Sequence, residues 1–297
     1  MRDVLERIPE LKIDCLDHGF VELVDVMPRL LPEEAETADF AIVQAARVSY
    51  GVGTKKVSED KGLIRYLMRH RHTTPFEMIE FKFHCSMPIF VARQWIRHRT
   101  ANVNEYSARY SVVPEVFHFP KLDNIRQQSS RNKQVSEGST ESGDANWFLN
   151  KLEQMSHDAY KMYEESLQKN IGREQARMIL PLNSYTYWYW KIDLWNLLHF
   201  LSLRCDAHAQ QEFQVYGNAM LKMVEAVAPW TTEAWNDYHP LRGAELLTKL
   251  EVEALRDYLQ EQMYPPCAPQ IESENKREKS EWAEKCKKLG FDTVFSD

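Results

Sequence analysis

Arg93, Arg97, His98, Arg99 and Arg109 fall within one short stretch of a chain that is otherwise acidic, with a formal net charge of −7 over 297 residues. Local cation density against an acidic background marks an anion site rather than global attraction to a polyanion. Arginine meets phosphate through a planar fork that donates two hydrogen bonds at once. The loop that follows is furnished for the same task. Asn104, Ser107 and Arg109 offer side-chain donors, and consecutive amides in a turn can form a nest around an anion. Gln94, Arg97 and His98 are three and four apart, so a helix would carry them on one face. A phosphorylated small ligand is the chemistry these residues select. The plainer alternative is a solvated basic face whose cations complement a helix C-terminus.

Several elements must position these groups. Two apolar-alternating runs flank Asp17-His18-Gly19 and predict a hairpin over 11–28. Helices are expected over 35–48 and 61–70. Ile79, Phe81, Phe83, Cys85 and Met87 alternate strictly with Glu80, Lys82, His84 and Ser86, which predicts a strand with one buried face. Ser86-Met87-Pro88 then announces a helix from Ile89 to His98. The polar stretch 121–146 reads as a mobile excursion, followed by helices over 147–167 and 173–180. Ser184 to Ile192, dense in Tyr and Trp, predicts a second strand. Asp193 should cap a long helix running as far as Ala228. The element types alternate without a βαβ rhythm, which favours α+β. Residues 1–244 read as one domain and 245–297 as a charged helical extension.

A composition of 43% hydrophobic and 27% charged residues excludes a fibrous or wholly disordered chain. No apolar run approaches a membrane span, and the N-terminal residues lack the apolar core of a signal peptide. The five cysteines share no metal or disulfide spacing and read as reduced thiols of a cytoplasmic protein, with no metal expected. Gly51-Val52-Gly53-Thr54-Lys55-Lys56 lacks the completing residues of a phosphate-binding loop.

Arg97-His98-Arg99, seven residues, then Ser107 resembles the signature of the flavin-dependent thymidylate synthases. Ala45–Ser49, His72–Glu77, Pro88–Trp95, Arg177–Asn183, Leu203-Arg204 and His208-Ala209-Gln210 resemble further blocks of that family, in order. The resemblance implies helices around a twisted antiparallel sheet, assembled as a homotetramer with active sites between subunits. It implies reductive methylation of dUMP to dTMP, with methylenetetrahydrofolate as carbon donor and FAD, reduced by NADPH, as hydride source. By position, Gln94, Arg97, Glu105, Tyr106, Ser107, Ala108 and Arg109 would hold dUMP from one subunit, with Arg177 and Arg204 reaching it from a neighbour. Arg204 would be the catalytic residue, stabilising charge on the uracil. Ser49, Thr74, Arg97, His98, Arg99, Glu105, Asp193, Trp195, His199 and His208 would bind FAD, with His72 and Glu77 near it. Some members carry Asn, Arg and Asn at positions 193, 195 and 199; here an acid and two aromatics stand instead, and Trp195 would stack rather than donate. Ser107 reads as a hydrogen-bonding residue, since no base accompanies it as a nucleophile needs. Tyr264-Pro265-Pro266-Cys267-Ala268 only superficially echoes the Pro-Cys-His of the cysteine-dependent thymidylate synthases.

A reading from another class is a single-stranded nucleic-acid binding module, with phosphates on Arg97–Arg99 and bases stacked on Trp95, Tyr106 and Tyr110. The acidic net charge opposes it. A flavoenzyme methylating another pyrimidine is a variant of the first reading.

Overall fold

The computed structural model describes residues 1–48, 60–130, 136–239, 247–261, 276–289 and 291. Ser49, the loop at 51–56 and the stretch at 264–268 lie outside the described residues. The chain forms two compact units, Met1–Asp237 and Tyr238–Asp297.

The first unit is built on a five-stranded sheet of β1 (Lys12–Cys15), β2 (Gly19–Met27), β3 (Glu80–Pro88), β4 (Asn102–Glu105) and β5 (Tyr185–Asp193). The order is β1-β2-β3-β5-β4, with every neighbouring pair antiparallel. Phe81, Phe83, Cys85 and Met87 of the alternating strand are all fully buried, and across the ladder Phe83 faces Trp190. The helices of this unit are α1 (Asp39–Arg47), α2 (Asp60–Arg69), α3 (Ile89–Trp95), α4 (Ser142–Gln168), α5 (Arg173–Ala176), α6 (Leu194–Arg204), α7 (Gln211–Val227) and α8 (Pro229–Tyr238). Trp95, the last residue of α3, packs against Trp190, Phe200 and Phe213 at 5.2, 5.3 and 5.6 Å between ring centroids. That aromatic knot ties the sheet to α6 and α7 immediately before the arginine-rich segment begins. Asp39 performs a similar task for α8, accepting from the Thr231 and Trp230 amides, both at 3.0 Å. In the second unit α9 (Lys249–Glu261) and α10 (Lys276–Leu289) are helical, with Cys286 buried.

Four expectations need correction. The helix expected over 89–98 stops at Trp95; His98 closes a tighter turn, its amide donating to the Trp95 carbonyl at 3.0 Å. The helix expected from Asp193 to Ala228 is two helices. Asp206 breaks it, because its carboxylate takes the His208 amide at 2.8 Å and its carbonyl the Ala209 amide at 3.0 Å, local bonds that compete with the helical ladder. In the polar excursion, α4 begins at Ser142, a 3-10 turn covers Leu122–Asn124, and Gln127–Gln128 pairs with Ser136–Glu137. Within the signature, Asn102–Glu105 is an edge strand rather than a loop.

Candidate active site

β4 carries the signature to the sheet edge, and the Tyr106 amide prolongs the ladder by donating to the Tyr187 carbonyl at 2.8 Å. The chain then turns on Ser107. Its Oγ accepts the Arg109 amide at 3.3 Å, and its carbonyl accepts the amides of Tyr110 and Ser111 at 3.0 and 3.1 Å. The amide nest is therefore smaller than the sequence suggested. Among the described residues only the Ser107 and Ala108 amides of this turn donate to no protein group.

Glu105, Tyr106, Ser107, Ala108 and Arg109 line a cavity of about 560 Å³ together with Arg177, Tyr185 and Thr186. That volume lies within the usual range for small-molecule sites. Arg109 and Arg177 have no acidic partner among the described residues, so two guanidinium cations line the cavity alongside the Glu105 carboxylate. The carboxylate of Glu105 is engaged by Thr186, whose hydroxyl donates to it at 2.8 Å. Arg177, expected in a helix over 173–180, is exposed on the 3-10 turn Arg177–Ile179 that follows the shorter α5, and it lines the cavity with 105–109.

The loop is held from outside. Val113, buried just beyond it, is gripped at both peptide groups by α4: its carbonyl accepts from the Tyr160 hydroxyl at 2.9 Å and its amide donates to the Tyr163 hydroxyl at 3.1 Å. Behind Tyr185 lies Asp17, at the hairpin turn. Asp17 accepts from the Tyr185 hydroxyl, from His118 Nδ1 at 2.9 Å and from the Phe119 amide at 2.9 Å. Burial alone would raise its pKa, but the bonds from His118, Tyr185 and Phe119 outweigh that and hold the carboxyl well below the usual range.

A second cluster forms where α3 ends. Arg204, half-buried at the end of α6, donates from Nε to His98 Nε2 at 3.1 Å, and its Nη2 lies 3.0 Å from the same nitrogen. The guanidinium also lies over the Phe213 ring, 4.7 Å from its centroid. Burial, with Arg204 and His199 nearby, pushes His98 down to about 4, so the imidazole is neutral near pH 7. With Nε2 accepting, its proton belongs on Nδ1. Gln94, on α3, donates to Gln210. Arg204 has no bond to Asp206, which holds His208 Nδ1 at 2.9 Å instead.

The other residues anticipated for the flavin lie on several elements. Arg97 and Arg99 are exposed and without acidic partners among the described residues. The His199 ring lies 6.3 Å from His98, and Trp195 lies 5.8 Å from Phe76, in the turn that follows exposed Thr74. His208 lines a smaller cavity with Arg126 and Gln210. Asp193, also anticipated for the flavin, caps α6, its carboxylate taking the Asn196 amide at 3.0 Å and Asn196 Nδ2 at 2.7 Å. Sequence reasoning missed Tyr185, Thr186 and Arg126. The strand over 185–193 was legible, but which side chains it turns toward the cavity depends on its register.

Comparison with known proteins gives one answer. Residues 29–230 match the model of the thymidylate synthase complementing protein family. The flavin-dependent thymidylate synthase of Dictyostelium discoideum is 52% identical over 289 residues, covering 97% of this chain and 90% of that one. The enzyme of the same name from Thermus thermophilus is 52% identical over 254 residues, covering 86% and 88%. Among solved structures, the UMP/dUMP methylase PolB from Streptomyces cacaoi, bound with 5-Br dUMP, superposes with a TM-score of 0.65 at 33% identity, covering 76% of this chain and 98% of that one. The antiparallel sheet, the cationic cavity and the arginine–histidine cluster thus sit in a sequence whose likeness to these enzymes extends far beyond the signature, and the chain belongs to the flavin-dependent thymidylate synthase family.

Proposed function

We propose that this protein methylates C5 of dUMP to give dTMP, taking the carbon from methylenetetrahydrofolate and the hydride from FAD reduced by NADPH, and releasing tetrahydrofolate. The observation that carries the reading is the cavity in which Arg109, Arg177 and the free amides of Ser107 and Ala108 converge. A phosphate dianion matches that donor set, since it accepts from guanidinium forks and backbone amides together. Tyr106 and Glu105 are then left to meet the sugar and base.

Arg204 supplies the electrostatic part of the chemistry. As C5 becomes nucleophilic, negative charge spreads over N3 and the carbonyl oxygens of uracil, and a fixed guanidinium stabilises it. Gln94 and Arg97 join it at the nucleotide. The donor set around His98 suits FAD: Arg97 and Arg99 would hold its pyrophosphate, with Trp195, His199, His208, Thr74 and Ser49 along its length. FAD, when bound, supplies the hydride that turns the transferred carbon into a methyl group. Arg204, Gln94 and Arg97 are absent from the cavity lining, which favours an active site completed by a second copy of the chain within a homotetramer. Buried free thiols at Cys15 and Cys85 suit a reducing, cytoplasmic setting. The nucleic-acid reading loses one of its three stacking rings, because Trp95 is 0% exposed.

The test is product analysis. Purified protein with FAD, NADPH, methylenetetrahydrofolate and dUMP should yield dTMP and tetrahydrofolate in equal amounts. A parallel reaction with UMP checks the other pyrimidine nucleotide named for the structural neighbour. Methylation of UMP in preference to dUMP, or no methylated product, would overturn the reading.

A further inference from the structure

His98 lies between two arginines in sequence, yet what it contacts is a third. The Nε2 lone pair receives Arg204 Nε at 3.1 Å and lies 3.0 Å from Nη2, so two of the five guanidinium N–H groups point at one acceptor. The imidazole is itself fixed, edge-on to Phe200 with centroids 4.8 Å apart at 76°. Phe200 and Phe213 both belong to the aromatic knot around Trp95. Phe213 supports the guanidinium itself, which lies over its ring. An arginine held only by a carboxylate would have part of its charge neutralised. One held by a neutral imidazole and an aromatic face keeps its full charge and loses only its freedom to rotate.

We propose that His98 is a positioning residue for Arg204, its Nε2 fixing the direction in which the guanidinium presents its three remaining N–H groups. This rests on the reading that Arg204 acts on the uracil. It departs from the flavin-ligand role that the resemblance implies for the His98 side chain. The low pKa of His98 supports the arrangement, since an imidazolium could not accept from an arginine and would repel it. Preorganised charge is effective in catalysis because nothing needs to reorient as charge develops, and a misplacement of about 1 Å costs on the order of 10²-fold in rate.

The experiment compares the wild-type holoenzyme with His98→Ala, His98→Leu and His98→Gln. Bound FAD is measured by absorbance at saturating cofactor, and kcat and KM for dUMP by dTMP formation. His98→Ala and His98→Leu should lower kcat by roughly 10- to 100-fold, more than they alter KM, with flavin content at the wild-type level. His98→Gln should recover most of the loss, because its carbonyl can accept from the guanidinium. If His98→Ala does not fold, His98→Leu, which keeps side-chain volume but has no acceptor, carries the same expectation. Flavin lost equally from the apolar and glutamine variants would make His98 a flavin ligand and overturn the proposal; so would an unchanged kcat in either apolar variant. An inactive wild-type enzyme would overturn the function itself, a separate outcome.

Discussion

Replacing Asp17 by Asn tests whether the Tyr185 side of the cavity is held by a single charged hub. Asp17 accepts from three groups brought together only by the fold: Tyr185 of β5, His118 Nδ1 and the Phe119 amide. Hydrogen bonds to a charged acceptor contribute about 1.5–3 kcal/mol each and neutral ones about 0.5–1.5, so converting three of them costs about 3 kcal/mol. For a unit of this size each kcal/mol moves Tm by about 2–4 °C, which gives a fall of about 6–12 °C. The pH dependence has a definite sign. The folded pKa of Asp17 is depressed, so its stabilisation is complete above the unfolded value near 3.9 and is lost as pH falls through and below it. Differential scanning fluorimetry at pH 5.5 and pH 3.5 should therefore show the full gap between wild type and Asp17→Asn at the higher pH and a smaller one at the lower. Because Tyr185 lines the cavity, dUMP affinity should weaken as well. A gap below about 2 °C at pH 5.5, or one that does not shrink at pH 3.5, would refute the hub.

Arg177→Ala and Arg204→Ala should each abolish methylation, and dissociating and mixing the two variants should restore part of it, since one intact cavity would meet one intact Arg204; activity assays of the mixture decide this. Tyr163→Phe leaves the buried Val113 amide unpaired, and KM for dUMP should rise about tenfold, the equivalent of roughly 1.4 kcal/mol, with flavin content unchanged by absorbance. Asp193→Ala removes a helix cap and should lower stability by about 1 kcal/mol while leaving bound flavin at the wild-type level; flavin loss would return Asp193 to the cofactor site.

What could be read from the sequence follows from how local the determining physics is. The strand around Phe83 announced itself by strict alternation, and the hairpin at Asp17 by its turn residues, because both signals lie within a few adjacent positions. Arg97–Arg99 and Ser107 suggested an anion site through residue type and spacing alone, and of these Ser107 lines the cavity. The break after Arg204 is local yet silent in the periodicity: Asp206 takes the amides of its own neighbours, against a continuous helical pattern. Two features depended on contacts distant in sequence. Arg177 joined the cavity because α5 and its following turn pack near the signature loop, which no pattern in 173–180 encodes. The grip of Tyr160 and Tyr163 on Val113 spans 50 residues at its longest, and two tyrosines three apart on a helix ordinarily read as core. Asp193 was legible as a cap from its position alone, and its carboxylate does take the Asn196 amide.

The proposed reaction requires a bound flavin to exchange reducing equivalents with a pyrimidine nucleotide and a folate at this site. Anaerobic absorbance between 300 and 550 nm follows it directly. The purified protein, loaded with FAD, should bleach when NADPH and dUMP are added and recover its flavin band when methylenetetrahydrofolate follows, with dTMP formed in step. A protein that takes up no FAD, or a reduced flavin that stays bleached after the folate is added, would contradict the account.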